Sequence, residues 1–193
     1  MRIISGTLGG RRFQGKVPDG IRPTSEMVRE SIFNKLMQLT RLEDATLADI
    51  CSGTGAMGIE ALSRGAASCI FVDKSKISCN YLLSALDFFQ ISRSQYTVAR
   101  RPAESFPKFF AEKFPGEQLD IVFCDPPYAL NILNQLLFDI KSLNLLKDNG
   151  IIVVEYSTFG GIVIPDGMTC IDKKIYGDTV VSYLMNLTTS PQS

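Results

Sequence analysis

Asp49-Ile50-Cys51-Ser52-Gly53-Thr54-Gly55-Ala56-Met57-Gly58 is the stretch on which the fold turns. It leaves an apolar run, Thr46 to Cys51, and enters a helical pattern, Ala56 to Arg64, that stops at Gly65. Its glycines have the G-x-G-x-x-G spacing, which lets a backbone turn tightly and approach a ligand closely. Asp73 closes the next apolar run, eighteen residues beyond Gly55. A carboxylate placed there can accept hydrogen bonds from both ribose hydroxyls of an adenosine. Strand, glycine turn, helix and acid, in that order, predict an adenosine-binding crevice.

Outward from this stretch, short apolar runs alternate with helical patterns. Thr46 to Cys51, Ser68 to Asp73, Gln95 to Ala99, Leu119 to Cys124 and Ile151 to Tyr156 read as five strands. Ala56 to Arg64, a helix capped by Ser75 with Ile77, Tyr81, Leu82, Ala85 and Phe89, and Leu130 to Lys141 lie between them. Such alternation predicts an α/β fold, a doubly wound and mostly parallel sheet with helices on both faces. After Pro165, Thr169 to Tyr176 and Thr179 to Leu187 are separated by only Gly177-Asp178, which predicts an antiparallel hairpin at one edge. Upstream, Arg2 to Ser5 and Arg12 to Gln14 suggest a hairpin, and Val28, Ile32, Leu36 and Leu39 form one helical face. Residues 1–45 thus read as an extension, 46–188 as the main domain and 189–193 as a frayed tail.

With 193 residues, 45% of them hydrophobic, the chain can bury one sizeable core. No apolar run is long enough to span a bilayer and the first residues lack a signal-peptide pattern, so a cytoplasmic protein with no membrane partner is expected. Five cysteines, an odd number with no C-x-x-C pair, suit a reduced compartment. Histidine is absent, which excludes Ser-His and Cys-His nucleophiles and the commonest zinc ligands. The net charge is zero, yet the first 41 residues hold eight Lys/Arg against three acids. A basic arm on an acidic body suits an enzyme that meets phosphates. Arg11, Arg12, Lys16 and Arg22 are the candidate phosphate contacts, which become RNA contacts if the substrate is RNA.

Asp125-Pro126-Pro127-Tyr128 follows the buried-strand pattern Leu119 to Cys124, at the carboxyl end of the sheet, where open α/β folds bind ligands. Each proline restrains its predecessor and lacks a donor, so the Asp125 side chain and the Pro126 carbonyl become two fixed acceptors. Two hydrogen bonds taken from an exocyclic amine localise its lone pair for attack, and Tyr128 offers a stacking surface for the base. Asp49, just before the glycine loop, would repel a pyrophosphate but suits the ammonium of a methionyl group.

These motifs resemble those of class I methyltransferases. The chain is most similar to the bacterial family of 16S rRNA guanine-N2 methyltransferases. The carriers are Arg2-Ile3-Ile4-Ser5-Gly6 with Gly10-Arg11-Arg12, Arg22-Pro23-Thr24, Val28-Arg29-Glu30-Ser31-Ile32-Phe33-Asn34 and the glycine loop with Gly58 to Ala66. Asp125-Pro126-Pro127-Tyr128 and Tyr176-Gly177-Asp178-Thr179 complete them. The resemblance implies S-adenosylmethionine as cofactor, no metal, and transfer to a guanine N2 in 16S rRNA or a small-subunit assembly intermediate, with no obligate protein partner. Asp125, Pro126, Pro127 and Tyr128 would be catalytic. Asp49, Cys51, Gly53, Gly55, Asp73, Lys74, Ala103 and Glu104 would hold the cofactor. Three departures stand out: Cys51-Ser52 replaces the usual Phe-Ala, Asp73 replaces a frequent glutamate, and Pro102 replaces an Asp or Asn that contacts adenine. Adenine would then meet Glu104 or backbone. An adenine-N6 methyltransferase, an NAD-dependent oxidoreductase and a non-enzymatic ribosome-assembly RNA-binding protein are the competing readings.

Overall fold

The computed structural model describes residues 1–21, 24–126 and 130–187. Its elements run α1 (Glu26–Leu39), β1 (Thr46–Ile50), α2 (Ala56–Ser63), β2 (Ser68–Asp73), α3 (Lys76–Phe88), β3 (Tyr96–Arg100), α4 (Phe106–Lys113), β4 (Leu119–Cys124), α5 (Leu130–Ser142), β5 (Leu146–Ser157), β6 (Met168–Tyr176) and β7 (Thr179–Asn186). The sheet has seven strands in the order β3-β2-β1-β4-β5-β7-β6. β1 to β5 are parallel, whereas β7 runs antiparallel between β5 and β6. The C-terminal hairpin therefore closes one edge, as its two-residue connection predicts.

The central strands are apolar along their length because helices cover both faces. One core joins Ile32, Phe33 and Leu36 of α1 to Leu62 of α2, Leu82 of α3, Phe89 just after it, and Phe71, Phe123 and Val153 of the sheet. The opposite core joins Phe106 and Phe110 of α4 to Leu133, Leu137 and Ile140 of α5 over Ile50, Val122 and Val154. Parallel strands in one sheet direct their carboxyl ends to one edge, which brings Ile50, Asp73 and Cys124 side by side.

A buried acid helps tie the N-terminal residues to this body. Glu60 on α2 is fully buried; its Oε2 accepts the Ile4 N–H at 2.8 Å and its Oε1 the Ser5 N–H at 3.0 Å. Arg64 donates to Oε1 at 2.8 Å, and the buried Arg29 of α1 lies 3.7 Å from Oε2. Arg29 also donates to the Arg2 carbonyl.

Four local differences from the sequence expectations have physical causes. The expected N-terminal hairpin forms over a shorter stretch: Met1 and Phe13 exchange hydrogen bonds at 2.8 Å and the Ile3 N–H donates to the Arg11 carbonyl at 3.0 Å around the Arg2–Arg12 bridge, and the pairing ends before Ile4 and Ser5, which give their N–H groups to Glu60. The buried face of α1 centres on Arg29, Ile32, Phe33 and Leu36, with Val28 and Leu39 at its flanks. α4 was not expected; its first turn contains Pro107, which is tolerated where no intrahelical donor is required. β5 starts at Leu146, and a register shift, with Asn149 at φ 58°, accommodates the polar Lys147 to Gly150 segment before the apolar run resumes.

Candidate active site

Beyond β1 the chain turns through Cys51 (φ 62°), Gly53 (φ 52°) and Gly55 (φ 74°), the last of which begins α2. Packing as well as conformation demands glycine here. A Cβ on Gly55 would lie 2.3 Å from Leu82 Cδ1, and one on Gly58 would lie 2.3 Å from the Phe71 ring and 2.6 Å from Cys69 Sγ. The first contact brings α3 against the loop and the second brings α2 against β2, so the spacing sets how closely helices and sheet approach.

Asp73 holds the loop from the neighbouring strand. Its Oδ2 accepts the Gly53 N–H at 2.9 Å and its Oδ1 accepts the Ser75 N–H at 2.8 Å, which leaves lone pairs on both oxygens for a ligand. Asp49 is buried beneath α2, where its Oδ2 accepts the Gly58 N–H at 2.9 Å. Arg101 donates its N–H to the Asp73 carbonyl at 3.0 Å, which carries the turn after β3 past the same edge. In that turn Ala103 is buried and Glu104 exposed, and Lys74 is exposed after Asp73.

Asp125 follows β4 and is exposed, with its N–H directed to the Ile50 carbonyl at 3.4 Å; Pro126 is buried. The expected site residues Asp49, Gly53, Gly55, Asp73 and Asp125 therefore meet at one sheet edge. Pro127, Tyr128 and Arg22 lie outside the described residues.

This edge is strongly electronegative. Burial, reinforced by Asp125 and Asp73 and opposed by the Gly58 N–H, pushes the Asp49 carboxyl up to about 7. Burial pushes the Cys51 thiol up to about 12, with Asp73, Asp125 and Asp49 adding to it and Lys74 acting the other way. Glu155, at the end of β5, is pushed up to about 8 by burial and then by Asp125 and Asp49. Sequence reading missed Glu155. Its signal was present, since it is an acid closing an apolar strand, as Asp73 does.

The crevice fits a cationic adenosine cofactor better than a dinucleotide. A sulfonium and an ammonium relieve the repulsion among these carboxylates, whereas a pyrophosphate would add to it. Asp49 would face the ammonium and Asp73 the ribose, with the bare Gly53 and Gly55 backbone between them.

The basic arm borders this crevice. A Cβ on Gly53 would lie 3.3 Å from Ile21 Cγ2, and Val17 shares a cavity with Thr54 and Ala56. Arg12 and Lys16 are exposed. Arg11 is engaged with α3: it donates to the Phe88 carbonyl at 3.1 Å and the Phe89 carbonyl at 3.3 Å, and its guanidinium lies over both rings. No helix among the described residues is long and apolar enough to cross a membrane.

Comparisons with known proteins agree with this architecture. The family model described as conserved hypothetical protein 95 matches residues 1–185. Ribosomal RNA small subunit methyltransferase D of Haemophilus influenzae is 32% identical over 183 residues, covering 95% of this chain and 91% of its own. The Escherichia coli K12 protein of that name is 36% identical over 152 residues, covering 78% of this chain and 68% of its own. A solved Escherichia coli structure, provisionally titled a methyltransferase, superposes with a TM-score of 0.84 at 27% identity, covering 98% of this chain and 99% of its own. The chain thus belongs to the family of the small-subunit ribosomal RNA methyltransferase D proteins, whose family model is described as conserved hypothetical protein 95.

Proposed function

We propose that this protein transfers a methyl group from S-adenosylmethionine to the exocyclic N2 amine of a guanine in 16S rRNA. The observation that carries the reading is the convergence, at one sheet edge, of the Asp73-held glycine loop, the buried Asp49 and the Asp125-Pro126 pair. The names of its relatives, which specify ribosomal RNA of the small subunit, support the substrate class.

The bound cofactor supplies an activated sulfonium methyl, so no covalent enzyme intermediate is required. The protein's part is to hold two reactants in line, a contribution that can exceed that of proton transfer. Asp73 and the glycine loop fix the adenosine end, and Asp49 fixes the amino-acid end. Ala103 and Glu104 border adenine, where Pro102 offers no side-chain hydrogen bond. Asp125 and the Pro126 carbonyl accept the two amine hydrogens, which directs the nitrogen lone pair at the methyl. Asp125 also stands ready to take the proton that the alkylated nitrogen must lose.

The base reaches this edge only when extruded, which costs a few kcal/mol. Stacking on Tyr128 and phosphate contacts from residues 1–45 through Arg12, Lys16 and Arg22 offset that cost. Arg11 contributes by holding the arm against α3.

Mass mapping of 16S rRNA tests the reading. RNA from cells lacking the gene should lose one N2-methylguanine, which purified enzyme and S-adenosylmethionine then restore. An unchanged guanine map, or restoration of N6-methyladenine instead, contradicts it.

A further inference from the structure

We infer that Glu155 reads the Watson–Crick edge of the target guanine, accepting the N1 hydrogen beside the amine held at Asp125. This rests on the guanine-N2 reading above and assigns its base selectivity to one residue. In the parallel register Cys124 faces Val154, so Asp125, the first residue beyond β4, and Glu155 of β5 each follow an aligned pair on neighbouring strands, which run about 4.8 Å apart. They share a face. Ile121 and Phe123 of β4 and Ile151 and Val153 of β5 pack in one core, Val122, Cys124, Ile152 and Val154 in the other. Strand alternation thus directs Asp125 and Glu155 toward the first side, where Asp49 also lies.

The surroundings favour a ligand partner for this carboxyl. The Glu155 side chain is half-buried and makes no hydrogen bond or ion pair with the other described residues. The charges acting on it are those of Asp125 and Asp49, both unfavourable. A buried polar group without a partner is costly, so an arriving N–H has more to offer here than at a satisfied site. In guanine the N1–H is adjacent to the N2 amine, so a base whose amine meets Asp125 and Pro126 turns its N1–H toward the next strand. An acceptor oxygen is available on Glu155 whether the carboxyl is ionised or protonated.

The test uses small subunits reconstituted with RNA that carries guanine, or 2-aminopurine, at the position found by mass mapping. 2-Aminopurine keeps the N2 amine but has a bare lone pair at N1 and no O6. Wild-type enzyme should prefer guanine by about 10- to 100-fold in kcat/KM, the discrimination expected of a well-formed base-edge contact. Glu155→Leu should erase that preference while binding S-adenosylhomocysteine as wild type does. The inference is overturned if Glu155→Leu keeps the preference. In that case wild-type N2-methylguanine formation leaves the underlying guanine reading intact. If wild type forms no N2-methylguanine, that reading itself fails and takes the inference with it.

Discussion

Glu60 and Asp49 are both buried acids packed with α2, at 0% and 4% exposure, yet their surroundings are opposite. Glu60 accepts two backbone N–H groups and faces two guanidinium groups, so its charge is matched within the protein. Asp49 has the Gly58 N–H and is otherwise exposed to the repulsion of Asp125 and Asp73. A matched buried charge fastens structure. One left electrostatically unbalanced at a crevice is poised for a cationic ligand. The body of the fold is thus locked on the Glu60 side of α2 and left reactive on the Asp49 side.

The contrast is tested most severely at Asp125, on the reactive side. Asp125→Ala should lower the single-turnover methylation rate by about 10²- to 10⁴-fold while S-adenosylhomocysteine affinity, read by calorimetry, stays near wild type. A wild-type rate in that variant would remove Asp125 from the chemistry. On the locked side, Glu60→Ala should destabilise the fold by about 3 to 5 kcal/mol, because Arg29 is left buried without its carboxylate. Chemical denaturation measures this, and a loss below about 1 kcal/mol would mean that other contacts fasten residues 1–5. The smallest effect belongs to the arm. Arg12→Ala with Lys16→Ala should reduce the slope of log affinity for RNA against log salt by about 2, since each cation removed leaves one phosphate unneutralised. An unchanged slope would place the phosphate-binding cations elsewhere.

Much of the crevice was legible in the sequence because its demands are local. The glycine positions are forced by left-handed backbone and by the approach of Leu82 and Phe71, and Asp73 and Asp125 mark strand ends in apolar runs. Long-range pairing was not legible. Nothing near Glu60 in the chain announces that Ile4, Ser5 and Arg29 converge on it, and Arg11 read as a phosphate ligand until α3 supplied the carbonyls it binds. α4 is only eight residues long, too short for its periodicity to stand out. Glu155 required the strand order, because its importance comes from β5 lying beside β4.

The central claim, that an electronegative crevice receives a cationic adenosine cofactor, is tested most directly by S-adenosylhomocysteine calorimetry across pH on wild type and Asp49→Asn. Burial raises the Asp49 carboxyl to about 7 from its ordinary 3.8. A raised carboxyl contributes stability that is fully present below its ordinary value and lost as pH rises through the raised one, so the unliganded protein should weaken toward neutral pH. An ammonium beside Asp49 favours the ionised form, so binding should release a proton below about pH 7 and affinity should climb about tenfold per pH unit there before levelling off. Asp49→Asn should bind more weakly above pH 7, with most of the pH dependence gone. Wild-type affinity that is flat or falls from about pH 5.5 to 7, or an Asp49→Asn curve that matches wild type, would contradict the account.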